Sequence, residues 1–356
     1  YNGTLCRSHH IEDDMVELDL DTILDIADQP GTYLRTARCL DFIRPEMRVH
    51  AANNIREMGI EGVVVIGGDG SYHGAMGLCE LGIPCVGIPG TIDNDLAYTE
   101  MTLGYDTAVN SCIDDIRAIR ATSRSHDRPG VVEVMGRHAG WLAGAASLAA
   151  GADCNGPDII LLPERPFDEN VFLEKVAQLE KDRHNVIIAA SEGVKNKDGV
   201  FLCDLVSTAG QLDAFGHKAI LSGTSRYLAD LIHVRLGCKT RAIEFSTLQR
   251  CASHLASRTD ITEAYQVGGA SVEAAYRGET GKMCAIRRIS DMPYRTETEM
   301  VDVQKVANLE KRVPDDWISP DGMHVTEAFH HYARPLIQAE LTPIYIDGVP
   351  RHLHLH

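Results

Sequence analysis

Two carboxylates lie two residues apart in the stretch Gly90-Thr91-Ile92-Asp93-Asn94-Asp95, directly after an apolar run that ends at Pro89. In an extended segment, residues i and i+2 point to the same side, so Asp93 and Asp95 would project together from the end of a strand. Two anions on one side require a cation or a proton between them. At the carboxyl end of a strand in an open α/β sheet, such a pair usually faces a ligand crevice. The stretch therefore predicts a metal-assisted or base-assisted site, with a capping or turn pair as the alternative.

A second polar stretch, Gly67-Gly68-Asp69-Gly70-Ser71, follows an apolar β-branched strand predicted at 62–66 and opens a helix. In this context backbone N–H groups and the helix dipole bind phosphate, and the glycines allow close approach. Asp69 is poorly placed against a bare phosphate, so its expected role is to hold Mg²⁺, directly or through water. A tight turn with an N-capping Asp is the alternative interpretation.

Both stretches follow consecutive strands of one predicted βαβ unit. A helix is predicted at 45–58, strands at 62–66 and 83–88, and a small-residue helix at 72–81 between them. Further helices are predicted at 105–119, 217–236 and 323–333, and strands at 131–134, 159–162 and 186–190. The charged segment 295–316 is expected to be a surface excursion. The pattern predicts an α/β, doubly wound fold whose two polar loops lie side by side in one crevice.

Composition narrows the class of protein. The 356 residues suffice for about two domains. No apolar run approaches the roughly 20 residues that span a bilayer, so no membrane segment is expected. A formal charge of −17 argues against a nucleic-acid or anionic-membrane binder. Ten cysteines without paired metal spacing are typical of thiols in a reducing cytosol, which predicts a cytoplasmic protein without disulfides.

A small anionic substrate remains compatible with this charge if arginines gather locally. Arg137 follows the strand predicted at 131–134 at the mouth of a glycine-flanked helix, and Arg128, Arg241 and Arg250 lie in irregular or strand-like stretches. Taken singly, each arginine is more often solvated. As a set in an acidic protein they indicate recognition of a phosphorylated substrate through charge-assisted hydrogen bonds.

Together these motifs resemble the bacterial-type 6-phosphofructokinases. The resemblance covers about residues 1 to 290. It implies two doubly wound, mostly parallel-sheet domains with the active site in the cleft between them. It also implies transfer of the γ-phosphoryl group of ATP to the 1-hydroxyl of fructose 6-phosphate. The residues that carry it are Val65 to Ser71, Pro89 to Asp95, Val132 to Arg137 and, more weakly, Leu248-Gln249-Arg250.

The resemblance also implies roles for individual residues. Asp93 would be the general base, Thr91 would orient the phosphoryl group, and Arg137 would neutralise the charge that develops on it. Mg²⁺ would be held by Asp69 and Asp95. Arg128 and Arg241 would reach the 6-phosphate bound to a neighbouring subunit, which implies a homo-oligomer, a tetramer or a dimer. The expected sugar contacts are Thr91, Asp93, Met135, Gly136, Arg137, Glu192, Thr247 and Arg250, and the expected nucleotide contacts are Arg38, Gly68, Asp69, Gly70 and Ser71.

Two small residues bear on the phosphoryl donor. In the pyrophosphate-dependent relatives an Asp usually stands at the position of Gly70 and a Lys at that of Gly90, filling space that the α-phosphate of ATP needs. Both positions are glycine here, which favours ATP. The alternatives are a pyrophosphate-dependent enzyme and a non-catalytic, regulatory or truncated member of the family. A nicotinamide kinase would use the glycine loop but would leave the stretches around Asp93 and Arg137 unexplained.

Several positions depart from the family pattern. The family's first strand and its GGDxPGxN phosphate loop do not occur in this chain, so the sheet is expected to lack that strand. Thr247 stands where a histidine often contacts the sugar phosphate. Asp14 replaces an arginine of the bacterial effector site, which predicts weaker regulation, while Arg120 and Asp158 match other parts of that site. The predicted domains are 1–104 with about 249–295 for the nucleotide, and 105–248 with about 296–356 for the sugar phosphate.

Overall fold

Two four-stranded sheets organise the part of the chain that the computed structural model describes, which is residues 15–27, 29–36, 39–206, 222–307, 309–339, 341–342 and 344–351. The first sheet has the order β1-β2-β9-β10. Its strands are Val63–Gly67 (β1), Cys85–Pro89 (β2), Lys282–Asp291 (β9) and Tyr294–Asp302 (β10). The pairs β1/β2 and β2/β9 are parallel, and β9/β10 is antiparallel.

The second sheet is entirely parallel and has the order β6-β7-β3-β8. Its strands are Gly130–Val134 (β3), Ile159–Leu161 (β6), Ile187–Ser191 (β7) and Arg241–Glu244 (β8). Two short hairpins pair Ala150–Gly151 (β4) with Cys154–Asn155 (β5), and Ile344–Ile346 (β11) with Val349–Arg351 (β12). The predicted α/β fold with parallel-sheet cores is thus confirmed.

Helices connect and cover the strands. The main ones are Leu20–Ile26 (α1), Pro45–Glu57 (α2), Asp69–Glu80 (α3), Tyr105–His126 (α4), Trp141–Ala145 (α5), Glu169–Asp182 (α6), Thr224–Leu236 (α7), Arg258–Tyr276 (α8), Val303–Val306 (α9) and Glu327–Ala333 (α10). Short 3₁₀ turns add Leu40–Ile43, Ala146–Ala149, Leu202–Leu205, Ser246–Arg250, Ser253–Leu255, Asp315–Trp317 and Arg334–Ile337. As predicted, Gly237 ends α7 with a positive φ of 72°.

The predicted βαβ unit that carries the two polar loops is present as β1, α3 and β2. Helix α3 begins at Asp69, three residues earlier than expected, so the glycine stretch itself forms its first turn. Strand β2 is buried on both faces, as expected for a covered parallel strand. Strand β1 is less buried, with Ile66 66% exposed, because it lies at the edge of its sheet in the described residues.

The segment 295–316 was predicted wrongly as a surface excursion. Most of it is strand β10, which lies along β9, followed by the short helix α9 whose Val303 and Val306 are buried. The alternation in Thr296-Glu297-Thr298-Glu299 is polar on both faces, so it lacks the apolar period that identifies a strand. Strand β10 continues to Asp302, so it straddles the predicted domain division near residue 295, and that division stays a prediction.

Helix α10 begins at Glu327, four residues later than predicted, after Val325 has paired with Ile318. The largest core cluster packs α4 and α5 against both sheets and the C-terminal aromatic residues Phe329 and Tyr332. The described cysteines are free thiols. In the described ranges no helix is both long and apolar enough to cross a bilayer.

Candidate active site

The loops after β1 and β2 lie side by side. The Gly90 amide donates a hydrogen bond to the Gly67 carbonyl at 3.2 Å, which joins the two loops where their strands end. A Cβ atom placed on Gly68 would lie 3.7 Å from the Thr91 Cβ, so the glycine loop contacts the stretch that carries Asp93. Because α3 begins with Gly68 as its N-cap and no side chain caps it, its first N–H groups are available to a phosphate.

The capping alternative for Asp69 is not supported, because Asp69 is the first helical residue rather than the cap. Its carboxylate lies 3.5 Å from the Nδ1 atom of His73, one turn further along the helix. A Cβ atom on Gly70 would meet no atom within 4 Å, so this turn faces open space. Ser71 lies in the same turn, and its hydroxyl is close to Gly67.

Asp93 and Asp95 do not project from an extended strand as predicted. Ile92 and Asp93 form a turn, and Asn94 between the two carboxylates has a left-handed φ of 54°. The two acids nevertheless interact. Burial and, after it, the neighbouring charges of Asp93, Glu310 and Asp69 together raise the pKa of Asp95 to about 7.

Asn94 is fully buried and holds this turn in shape. Its Nδ2 donates to the Tyr332 hydroxyl at 2.8 Å, and its Oδ1 accepts from the Thr102 amide at 3.1 Å. On the other side of the turn, the Asp93 amide donates to the Thr91 hydroxyl at 3.3 Å, and the Thr102 hydroxyl donates to the Thr91 carbonyl at 2.5 Å. The stretch is therefore fixed on both sides of Asp93.

Two of the predicted arginines face Asp93. Burial raises the pKa of the Asp93 carboxyl, while the charges of Arg250 and then Arg137 lower it. Arg137 follows β3, and Arg250 ends the 3₁₀ turn after β8, so neighbouring strands of the second sheet deliver both guanidinium groups. The structure thus brings a carboxylate from the first sheet against two cations from the second.

Glu192 joins this group from the end of β7. Burial and, after it, the charge of Asp93 raise the pKa of Glu192 to about 7, with Arg137 opposing the shift. Its amide donates to the Val134 carbonyl at 2.9 Å, which ties the end of β7 to the end of β3. The acid is therefore held close to both Asp93 and Arg137.

Gly136 and Gly193 let the loops after β3 and β7 pack backbone to backbone. Gly136 has a positive φ of 129°, and a Cβ there would lie 2.6 Å from the Ala139 carbonyl oxygen. A Cβ on Gly193 would overlap the Arg137 carbonyl, and the Ser191 hydroxyl donates to the Gly136 carbonyl. Glycine is required at both positions to bring Glu192 and Arg137 together.

Gln249 links the remaining predicted sugar contacts. Its Oε1 accepts from the Met135 amide at 3.2 Å, so the 3₁₀ turn that carries Arg250 is attached to the loop after β3. Thr247 lies exposed on the same turn. Gln249 belongs to the motif Leu248-Gln249-Arg250, but the sequence alone predicts no role for its side chain.

Arg128 and Arg241 lie at the amino-terminal ends of β3 and β8, opposite the carboxyl ends that lead to Arg137 and Arg250. Arg128 precedes β3, and Arg241 begins β8 with its amide donating to the Pro129 carbonyl at 3.0 Å. A five-residue strand spans about 16 Å, so these two arginines are far from Asp93 in the same chain. The structure places them next to each other but not in the group around Asp93.

Three further predictions of the sequence remain. Arg38 and Asp14 lie outside the described residues. Arg120 and Asp158, which the resemblance associates with an effector site, form an ion pair, and Arg183 also pairs with Asp158. Asp158 additionally accepts from the Ile187 amide at 2.8 Å, so in this chain its carboxylate supports the second sheet.

Asp69 and Asp95 are suitable ligands for Mg²⁺. Mg²⁺ in phosphoryl-transfer sites is usually held by one or two carboxylates with waters and substrate phosphates. Asp69 is among the charges that raise the pKa of Asp95, and a cation between them would relieve this repulsion. In the described part of the chain there is no group of three or more His, Cys, Asp or Glu side chains that could hold a metal ion.

Sequence reasoning missed Lys311, which lies behind the Asp93 turn. Its amide donates to the Asp95 carbonyl at 2.7 Å. Burial lowers the pKa of the Lys311 amine to about 7, while the carboxylates of Glu100 and Asp95 work against that shift. A lone lysine in the charged run 310–312 resembles a solvated residue, so the sequence carries no signal for it.

Comparison with known proteins agrees with this arrangement. A family model described as Phosphofructokinase matches residues 1–275. The chain is 41% identical over 285 residues to the pyrophosphate–fructose 6-phosphate 1-phosphotransferase of Methylococcus capsulatus, which covers 78% of this chain and 66% of that protein. It is 38% identical over 299 residues to ATP-dependent 6-phosphofructokinase 1 of Clostridium perfringens, with coverage of 83% and 82%.

The fold comparison gives the same family. The solved structure of a pyrophosphate-dependent phosphofructokinase from Marinobacter aquaeolei superposes with a TM-score of 0.80 at 30% identity, covering 94% of this chain and 80% of that one. The chain thus spans just under two thirds of the Methylococcus protein's length but four fifths of the Clostridium and Marinobacter proteins. With its motifs gathered at the carboxyl ends of parallel strands in two sheets, the chain belongs to the phosphofructokinase family.

Proposed function

We propose that this chain transfers the γ-phosphoryl group of ATP to the 1-hydroxyl of fructose 6-phosphate, giving fructose 1,6-bisphosphate. One observation carries the proposal, namely that Asp93 faces Arg137 and Arg250 directly beside the glycine turn that begins α3. A base, two cations and a phosphate-binding helix end are the parts that phosphoryl transfer requires.

Asp93 is the general base. The sugar hydroxyl oxygen attacks the γ-phosphorus, the bond to the β,γ-bridging oxygen breaks, and the hydroxyl proton passes to the Asp93 carboxylate. A base works best when its pKa approaches the working pH. Burial raises the pKa of Asp93 toward that range, while Arg250 and Arg137 favour its charged form.

Arg137 acts on the transferring group. Its positive charge acts on Asp93, and the same guanidinium neutralises charge that develops on the equatorial oxygens. Thr91 orients the same group. The donor is bound by five residues, Arg38, Gly68, Asp69, Gly70 and Ser71. Asp69 and Asp95 hold Mg²⁺, which supplies charge neutralisation at the phosphates.

The sugar phosphate is held by Glu192, Met135, Gly136, Thr247 and Arg250. Glu192 lies close to both Asp93 and Arg137, so it is placed to bind hydroxyls next to the reacting one. Arg128 and Arg241 are about a strand length away, which suits contacts to the 6-phosphate in a neighbouring subunit's site. This arrangement requires a homo-oligomer, a tetramer or a dimer.

Gly70 and Gly90 favour ATP as the phosphoryl donor. Gly70 faces open space, which leaves room beside the first turn of α3 for the α-phosphate of ATP. A Cβ on Gly90 would lie 2.7 Å from the Ile66 Cγ2, so a lysine side chain there would require Ile66 to move. Pyrophosphate is the second candidate donor, favoured by the 41% identity to the Methylococcus phosphotransferase.

The test measures fructose 1,6-bisphosphate formation with Mg²⁺ and either ATP or pyrophosphate, for the parent chain, Gly70→Asp and Gly70→Ala. The parent should turn over with ATP. Gly70→Asp should raise the KM for ATP at least about fivefold, because a carboxylate beside a phosphate in a partly solvated site costs on the order of 1–4 kcal/mol. Gly70→Ala adds one methyl group in open space and is the matched control, with a KM close to that of the parent.

Turnover with pyrophosphate alone would establish the second candidate in place of the first. Turnover with neither donor would identify a non-catalytic member of the family. An equal effect of Gly70→Asp and Gly70→Ala on the KM for ATP would contradict the role given to the space at Gly70.

A further inference from the structure

Lys311 places its ammonium group in a ring of oxygen atoms behind the Asp93 turn. Its Nζ lies 2.6 Å from the Glu100 carbonyl, 3.0 Å from the Asn94 Oδ1 and 3.3 Å from the Thr99 carbonyl. The Tyr332 hydroxyl is a fourth neighbour at 3.4 Å. An ammonium has three protons to donate, and three carbonyl-type acceptors surround it.

Aromatic rings form the wall of the same site. The Lys311 Nζ is 4.9 Å from the Trp141 ring centre and 5.7 Å from that of Tyr332. A cation within about 6 Å of a ring face is attracted to it. Oxygen acceptors on one side and π faces on the other make a site specific for an alkylammonium group.

The main chain of Lys311 is fixed as firmly as its side chain. Its amide donates to the Asp95 carbonyl at 2.7 Å, and its carbonyl accepts from the Trp141 indole N–H at 2.7 Å. The Asn94 amide nitrogen donates to the Tyr332 hydroxyl, which in turn donates to the Glu100 carbonyl at 2.5 Å. Lys311, Asn94, Tyr332 and Glu100 therefore form a closed ring of hydrogen bonds.

This ring of hydrogen bonds includes Asn94, the residue that joins the two carboxylates of the candidate site. Asn94 lies between Asp93 and Asp95 and has a φ of 54°, a left-handed conformation that is uncommon for non-glycine residues but that Asn adopts more readily than most. Its Oδ1 has two donors, the Thr102 amide and Lys311. Loss of the ammonium leaves a buried oxygen with half of its bonds and frees the turn to relax.

We propose that Lys311 is a positioning residue for the proposed phosphoryl transfer, which holds Asn94 in its left-handed conformation and so aims Asp93 at the acceptor hydroxyl. The inference rests on the proposed function for its kinetic consequence only. Lys311 touches neither substrate, so its effect should appear in turnover rather than in substrate affinity.

The test compares Lys311→Met, Lys311→Ala and Arg312→Ala with the parent. Lys311→Met keeps the apolar stem and should lower kcat by about 10- to 100-fold, because a displacement of about 1 Å in a reacting group can cost about a hundredfold in rate. The KM for fructose 6-phosphate should stay within about twofold. Arg312→Ala removes the neighbouring cation, whose side chain is 61% exposed and pairs with Glu310, and should keep the parent kcat.

Lys311→Ala leaves a cavity lined by the same oxygens and rings. Added ethylammonium should restore part of its kcat in a saturable manner, and ethanol at equal concentration should not. A residue that only stabilises the fold would show no such difference between a cation and a neutral molecule.

Amide hydrogen exchange gives a readout without catalysis. The Thr102 amide bonds to the Asn94 Oδ1, so Lys311→Met should raise its exchange rate at least about tenfold, with Arg312→Ala unchanged. Unchanged exchange together with unchanged kcat, or a loss confined to KM, would overturn the proposal. A parent chain inactive with both donors would refute the proposed function, while the exchange rates would still decide whether Lys311 positions the turn.

Discussion

Replacing Glu192 with Gln should separate its electrostatic contribution from its shape. The carboxyl is half-buried at the end of β7 and lies near the charges of Asp93 and Glu133, with Arg137 as the opposing cation. Gln has nearly the same volume and can still donate and accept hydrogen bonds. The substitution therefore removes the charge and leaves the packing in place.

The magnitude follows from the pKa of Glu192, which is raised from 4.5 to about 7. Between these values the folded chain keeps a proton that the unfolded chain releases, so this group lowers the free energy of unfolding as pH rises through the window. At about 1.4 kcal/mol per pH unit, its charged form costs up to about 3 kcal/mol above pH 7. Glu192→Gln should thus be more stable than the parent at pH 8 and equal to it near pH 4.5.

Urea unfolding at pH 4.5, 6, 7 and 8 measures this difference directly. Glu273→Gln is the control, because Glu273 is an exposed acid on α8 whose side chain is 69% accessible, and its effect should stay within about 0.5 kcal/mol. In kinetics, Glu192→Gln should raise the KM for fructose 6-phosphate above pH 7 and flatten its pH dependence. A stability difference that does not change between pH 4.5 and 8 would refute the assignment of a buried, charge-coupled acid.

Two further predictions concern the reacting groups. Asp93→Ser should lower kcat by about 10²–10⁴-fold while fructose 6-phosphate still binds, because a positioned base contributes about that factor. Asp114→Ser on the exposed face of α4 is its control, and near-parent turnover in Asp93→Ser would remove Asp93 from the mechanism. Arg241→Ala should raise the KM for fructose 6-phosphate by about ten- to hundredfold, since a hydrogen bond to a charged group contributes about 1.5–3 kcal/mol. Arg235→Ala, an exposed cation paired with Glu169, should not change that KM, and an equal KM in both variants would exclude a phosphate contact at Arg241.

The strands and glycine turns of the two sheets were predictable because they carry local signals. Apolar β-branched runs followed by Gly67 and Gly90 identified the strand ends, and the period of α4 identified its buried face. Strand β10 was not predictable from its own pattern. In the described residues it lies at the edge of its sheet, and its Thr-Glu alternation is polar on both faces. Its position is therefore decided by pairing with β9, a contact that leaves no periodic pattern in the local sequence.

The site was predictable in its members and less so in its geometry. Asp93 and Asp95 follow β2 of the first sheet, whereas Arg137, Glu192 and Arg250 follow three parallel strands of the second sheet, and the rule that parallel strands end at a common edge gathers the residues within each sheet. The extended shape assumed for Asp93 and Asp95 was wrong because Asn94 is left-handed, a conformation fixed by contacts with Tyr332 and Thr102 from elsewhere in the chain. Lys311 contributes from 217 residues away, beyond the reach of any motif.

The backbone contact between Gly193 and Arg137 has a consequence for enzyme engineering. Since no side chain fits at Gly193, the loop that carries Glu192 and the loop that carries Arg137 form one interlocked layer. A change that widens the proposed sugar pocket by moving one loop will also move Arg137. Variants intended to accept other sugars should therefore alter side chains on this layer, or exchange both loops together, and leave Gly136 and Gly193 untouched.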